Sequence, residues 1–118
     1  MSELQTATVD STRPTLATDV ALPLVLLADP HPPSRVRRAD QLRTRGFRVV
    51  VSRTSFETIV KASCLLPDLI VIDASLGEGG CADTVELLAR CPSTAHIPVV
   101  RLTAGRRVPP RVFTFARC

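Results

Sequence analysis

The chain has 118 residues, a length that suits one domain, and 45% of them are hydrophobic while only 3% are aromatic. This composition favours an aliphatic α/β core over an aromatic-rich β fold. The net charge of +4 is carried almost wholly by arginine; the lack of aromatic interleaving, helix-turn-helix or zinc-finger spacing argues against nucleic-acid binding, and no apolar run is long enough to span a membrane.

Residues 1–20 are polar, with Glu3, Asp10 and Asp19 against one basic residue, Arg13. They lack sustained periodicity and read as a disordered leader. The apolar stretch Val20–Ala28 has the length of an export-signal core, but an acidic segment precedes it and Pro23 interrupts it, so it reads as a buried strand. That first strand covers Leu22–Asp29. Pro30, Pro32 and Pro33 force a loop, and Ser34 can cap a helix over residues 34–46. Val36, Ala39 and Leu42 share one face of that helix, with Arg37, Arg38 and Arg45 opposite as a solvated surface, and Gly46 stops it.

Phe47–Ser52 is a β-branched second strand. Thr54 or Ser55 caps a second helix over 56–66, with Phe56, Ile59, Val60, Ser63 and Leu66 expected inward. Pro67 and Asp68 break it. The run Leu69–Asp73 follows, four aliphatics ending in an acid, the pattern of a strand buried on both faces of a parallel sheet. A glycine-rich loop, Gly77-Glu78-Gly79-Gly80, leads to a third helix over about 81–91, and Ile97–Thr103 is the fourth strand.

The order βαβαβαβ implies a parallel, doubly wound sheet with right-handed crossovers. After Thr103 the pattern fails. Residues 104–118 carry four arginines and no acid; Phe113 and Phe115 alternate as in a short strand, and no further helix is expected. Cys64, Cys81, Cys91 and Cys118 form no C-x-x-C pair and read as reduced thiols.

Two carboxylates end strands, Asp29 on the first and Asp73 on the third, and the hydroxyl of Thr103 ends the fourth. Sites in such sheets lie at the carboxyl ends of the strands. Carboxylates with oxygen-rich loops suit Mg²⁺, and a carboxylate facing that ion can accept a phosphoryl group as an acyl phosphate.

Four segments in order carry a resemblance: Val25–Asp29, Leu42–Phe47, Pro67–Asp73 and Ile97–Ala104. Together the span Leu22–Ala104 resembles the receiver domain of two-component response regulators. The resemblance implies a flavodoxin-like fold and a cytoplasmic signalling domain, not an enzyme, that takes a phosphoryl group from a histidine kinase or phosphotransfer protein. It implies Asp73 as phosphoacceptor, a Mg²⁺ site of Asp29, Asp73 and the Ser75 backbone carbonyl, and Thr103 as the switch hydroxyl.

The departures imply an impaired site. Ala28 stands for the first acid of the family's pair, Gly77 for its proline, and Cys81 for its loop glycine, with Gly80 one place early. The family's fourth helix, fifth strand ending in lysine-proline, and fifth helix have no counterpart in the pattern, and Lys61, the only lysine, falls in the second helix. The expected organisation is therefore a leader over 1–20, a shortened receiver-like domain over 21–104 and a basic irregular tail over 105–118. Two alternatives accompany the phosphoacceptor reading: a non-catalytic pseudo-receiver working through protein contacts, and a truncated or frameshifted receiver of little activity. Self-association through the open edge of the fourth strand is a further expectation.

Overall fold

A computed structural model describes residues 22–103 and 106–115. Four strands, β1 (Leu24–Ala28), β2 (Arg48–Ser52), β3 (Leu69–Asp73) and β4 (Val99–Leu102), form one parallel sheet in the order β2-β1-β3-β4. Helices α1 (Pro32–Thr44), α2 (Ser55–Leu65) and α3 (Ala82–Arg90) connect them, and α4 (Pro110–Phe115) follows β4. The described residues contain no fifth strand. The expected leader over 1–20, Ala104 and Cys118 lie outside the described residues.

Burial explains the strand sequences. Every residue of β3 is buried, which is why it can be apolar without alternation. Side chains still alternate between the faces. Val25, Leu27, Leu69, Val71 and Leu102 point to one face and meet Ala39 and Leu42 of α1. Leu26, Ala28, Ile70 and Ile72 point to the other and meet Ala62 of α2 and Leu88 of α3. Asp68, the acid before β3, accepts the Leu24 N–H at 2.8 Å and so ties the start of β3 to the start of β1.

Both of the first two helices sit in a different rotational phase from the one expected. On α1 the buried residues are Ser34, Arg38, Ala39 and Leu42, while Val36 is 58% exposed. Arg38, placed on the solvent face by apolar periodicity, is wholly buried. The cause is electrostatic: two buried acids at the end of the sheet need a cation, and turning α1 to supply one costs only the exposure of one valine. Nor is Ser34 the cap. His31 occupies that position, two prolines open the helix, and Ser34 lies inside its first turn.

On α2, Phe56, Val60 and Leu66 are exposed, as is Ser63; Thr58 and Ala62 face the sheet, with Ile59 partly buried. Small and hydroxylated side chains set this phase. Thr58 Oγ1 and the buried Ser52 hydroxyl at the end of β2 are 2.7 Å apart, and Thr84 of α3 donates to Ser55 at 2.7 Å. Thr54 caps the helix by accepting the Glu57 N–H. Leu66 is exposed because it is the C-cap, with φ at +47°.

The tail also departs from expectation. Residues 110–115 are helical instead of extended. Val108 and Val112 are buried against the α1 face of the sheet. Gln41 of α1 clamps the backbone of Val108 from both sides, accepting its N–H at 3.0 Å and donating to its carbonyl at 3.2 Å. A short ordered strap thus covers part of a sheet face that the sequence pattern leaves bare.

Candidate functional site

Asp29 follows β1 and Asp73 ends β3, and the parallel register of the two strands sets the acids side by side. Both are 0% exposed. Two ionised carboxylates cannot be buried together without compensation.

Arg38 supplies that compensation. Its Nη1 donates to Asp29 Oδ2 at 2.9 Å and to Asp73 Oδ2 at 2.7 Å. Nη2 donates to the Thr103 carbonyl at 3.0 Å and Nε to the Arg106 carbonyl at 2.7 Å. Four of the five N–H groups of the guanidinium fork thus have acceptors, on three segments of the chain: the end of β1, the end of β3 and the turn after β4.

The remaining oxygens are also engaged. Asp29 Oδ1 accepts the His31 N–H at 2.9 Å, and the Ser34 hydroxyl donates to Asp29 Oδ2 at 2.6 Å. Asp73 Oδ1 accepts both the N–H and the hydroxyl of Ser75, at 2.8 and 2.5 Å. The Ser75 hydroxyl also lies 3.1 Å from His31 Nε2, which joins the loops after β1 and β3. Burial works to raise the pKa of Asp73, but the Ser75 hydrogen bonds, with those of Arg38 and its charge, outweigh it and hold the carboxyl below the ordinary range.

The sequence-derived set is therefore only partly assembled. Asp29, Asp73 and Ser75 come together. Ser75 meets Asp73 through its N–H and hydroxyl. Thr103 reaches the site through its carbonyl, with the residue itself exposed. Three participants were missed: Arg38, Ser34 and His31. A signal for Arg38 was present, since Ser34, Arg38 and Leu42 repeat at a spacing of four and form one stripe.

The loop after Asp73 carries Gly77 where the sequence resemblance implies a proline. Gly77 has φ at +84°, and a Cβ there would sit 2.6 Å from Ser55 Oγ. Proline, with φ fixed near about −65°, cannot adopt this turn.

A Mg²⁺ ion would meet competition for every carboxylate oxygen of Asp29 and Asp73. An ion held by both acids needs an oxygen of each at about 2.0–2.1 Å. If the two Oδ2 atoms served, the ion would have to take the acceptors to which Arg38 Nη1 donates. If the two Oδ1 atoms served, it would displace the bonds from His31 and Ser75. The third acid is alanine: Ala28 is buried in the apolar core. Among the described residues no cluster of three or more His, Cys, Asp or Glu could hold a metal ion. No described helix is long and apolar enough to cross a membrane.

Comparisons with known proteins bear on the fold. No protein-family model matches the chain, and no curated protein matches it. Solved structures do. The N-terminal domain of a response regulator receiver protein from Methanoculleus marisnigri JR1 is 23% identical, with a TM-score of 0.67 over 81% of this chain and 80% of that one. The chemotaxis response regulator CheY4 of Vibrio cholerae is 19% identical, with a TM-score of 0.67 over 80% and 78%. The signal receiver domain of a histidine kinase from Syntrophus aciditrophicus is 23% identical, with a TM-score of 0.64 over 80% and 70%. With its four parallel strands in this order, the chain has the flavodoxin-like fold of response-regulator receiver domains, in incomplete form.

Proposed function

We propose that this chain is a pseudo-receiver: a domain of two-component signalling type that acts through protein contacts and does not take a phosphoryl group at Asp73. The carrying observation is Arg38, whose Nη1 bridges Asp29 and Asp73 with both acids fully buried.

The chemistry follows from that bridge. A phosphoacceptor carboxylate needs an oxygen with a lone pair open to the phosphorus of the donor. Asp73 has one oxygen against Arg38 and the other held twice by Ser75, and no exposed surface through which a donor could approach. Its lowered pKa marks a carboxylate stabilised as it stands, and so a weaker nucleophile. Phosphoryl transfer also needs positive charge beside the equatorial oxygens. The one guanidinium present already neutralises the acids. It is also anchored to two backbone carbonyls, so it is not poised to follow an incoming phosphate.

The test is to incubate the full chain with Mg²⁺ and a small phosphodonor such as acetyl phosphate, then measure intact mass. The expected spectrum shows the unmodified chain, identical for Asp73→Asn. A gain of one phosphoryl group that disappears in Asp73→Asn would overturn the proposal in favour of a phosphoacceptor role for Asp73.

A further inference from the structure

The two edges of the sheet are finished differently. At the β2 edge, Arg48 donates its N–H to Pro23 and the Ser52 carbonyl accepts from Asp29, so these residues face β1. Val49 and Val51 between them turn their backbone groups outward. Both outward carbonyls are taken. Arg43 of α1 donates to Val49 at 3.4 Å, and Lys61 of α2, the chain's only lysine, donates to Val51 at 2.7 Å. Cationic side chains laid over an edge in this way oppose the addition of a further strand.

The β4 edge has no such cover. The Pro98 and Leu102 carbonyls accept the Ile70 and Ala74 N–H groups at 3.0 and 2.8 Å and so face β3. Val99 and Arg101 therefore turn their N–H and C=O groups outward, and no described residue bonds to them. Pro98 lacks an N–H but sits at an inward-facing position, so it removes nothing from this edge. Beside the strand lies a cavity of about 340 Å³ lined by Val99, Val100, Arg101, Arg111 and Val112. Val100 and Val112 pack with the core on the α1 face, so the space opens on that side.

We propose that a second copy of this chain pairs here, β4 against β4, antiparallel about a twofold axis at Val100. In that register Val99 exchanges two hydrogen bonds with Arg101 of the second copy, and the twofold repeats the pair, so every outward group of the strand is used. The neighbouring registers are worse. An axis at Arg101 sets two like charges directly opposite. It also asks Val99 to pair with Thr103, whose carbonyl is already held by Arg38. An axis at Val99 sets Arg101 opposite Ile97, whose N–H already donates to Thr94. With the axis at Val100, the two Val100 residues form the close pair on the α1 face, Cα atoms about 4.5 Å apart, beside the two cavities. The Arg101 side chains lie on the other face as diagonal neighbours, about 7–8 Å apart. The covered β2 edges do not extend the sheet, so the assembly closes at a dimer. This pairing depends on the sheet edge alone and not on the chemistry at Asp73.

Sedimentation equilibrium of the full chain from about 1 µM to about 1 mM tests the pairing. The expected result is a reversible monomer–dimer equilibrium with no larger species. Val99→Pro removes one outward donor from each copy and spares the bonds to β3, so it should weaken association at least about tenfold. Circular dichroism checks that this variant is folded; if it is not, cross-linking decides. Val100→Cys should link two copies on mild oxidation with diamide, because Cα atoms about 4.5 Å apart lie within disulfide range, and peptide mapping should place the bond at position 100. Val50→Cys, at the matching place on the covered edge, should form no link through position 50. A monomer at every concentration would overturn the proposal and leave the edge to a strand of another protein. Unchanged association of folded Val99→Pro, open-ended growth, or linkage through position 50 as readily as through position 100 would also overturn it. Phosphorylation of Asp73 would instead overturn the pseudo-receiver reading and leave the dimer standing, so the two failures are distinct.

Discussion

The two faces of the sheet are covered by different means. On one face α2 and α3 lie side by side, and the contact is apolar with small hydroxyl pairs: Leu26, Ile70 and Ile72 against Ala62 and Leu88, with the Ser52–Thr58 and Ser55–Thr84 hydrogen bonds at its margin. On the other face there is α1 and a short strap. That strap is held by Val108 and Val112 below, by Gln41 at one point, and by the buried guanidinium of Arg38 at another. The first face depends on shape and hydrophobic area. The second depends on a charge cluster that the acids at the site also require. Neutralising Asp29 and Asp73 and anchoring the strap are therefore one structural task, and Arg38 performs both.

The largest difference between the two faces should come from Arg38→Met. It keeps the apolar stem but leaves two buried carboxylates facing one another and two backbone carbonyls without their donor. Removing one partner of a buried ion pair costs about 3–5 kcal/mol, and urea unfolding should show a loss of that order. Adding Asp29→Asn and Asp73→Asn to Arg38→Met should return most of the loss, since an uncharged site no longer needs the cation. Failure of that rescue would show that Arg38 matters for packing more than for charge.

Gln41→Ala is the next largest. It leaves the Val108 N–H and carbonyl unpaired at a partly buried point, at a cost of about 1–3 kcal/mol. Glu86→Ala, on α3 and largely exposed in its pair with Arg90, should fall within about 0.5 kcal/mol of the unaltered chain. Equal effects of the two substitutions would mean that the strap adds nothing to stability.

The smallest effect, and a more selective one, is on pH. The Asp73 carboxyl titrates lower in the folded chain than in the unfolded one. As pH falls, the unfolded chain takes up the proton first, so the stability Asp73 contributes is complete above about pH 4 and is lost as pH falls through its folded value. Stability measured from neutral pH downward should therefore fall more steeply in the unaltered chain than in Asp73→Asn. Parallel curves would mean that Asp73 is not held as an ion by Arg38 and Ser75.

Much of this architecture was legible in the sequence because it is written in apolar periodicity. The wholly aliphatic Leu69–Ile72 run, the β-branched Val49–Val51 run and the proline and glycine breaks located the strands, the sheet and the acids at its carboxyl end. The phase of α1 was not legible in the same way. Periodicity weighs Val36 as a core residue and Arg38 as a surface one, yet the helix exposes the valine and buries the arginine. That choice is decided by Asp29 and Asp73, which belong to distant parts of the chain. A hydrophobic pattern within one helix carries no information about them. The same holds for α2, where Thr58 and Ala62 win the inward face over Phe56 because hydroxyl partners on β2 and α3 await the small residues. The strap was missed for a different reason: Val108 and Val112 are isolated apolar residues among arginines and prolines, too few to show a period. A stricter accounting of charge would have found Arg38, since two acids at adjacent strand ends with no lysine available demand some other buried cation.

Arg38 bridges the two carboxylates that a divalent ion at this site would need. The most direct test of that bridge is titration of Mn²⁺, a paramagnetic substitute for Mg²⁺, into the full chain, with the free ion followed by electron paramagnetic resonance. No saturable binding is expected at millimolar ion in the unaltered chain, and the same trace is expected for Asp73→Asn. Saturable binding of one ion that is lost in Asp73→Asn would contradict this expectation, because the ion would then be holding the carboxylate that the structure gives to Arg38.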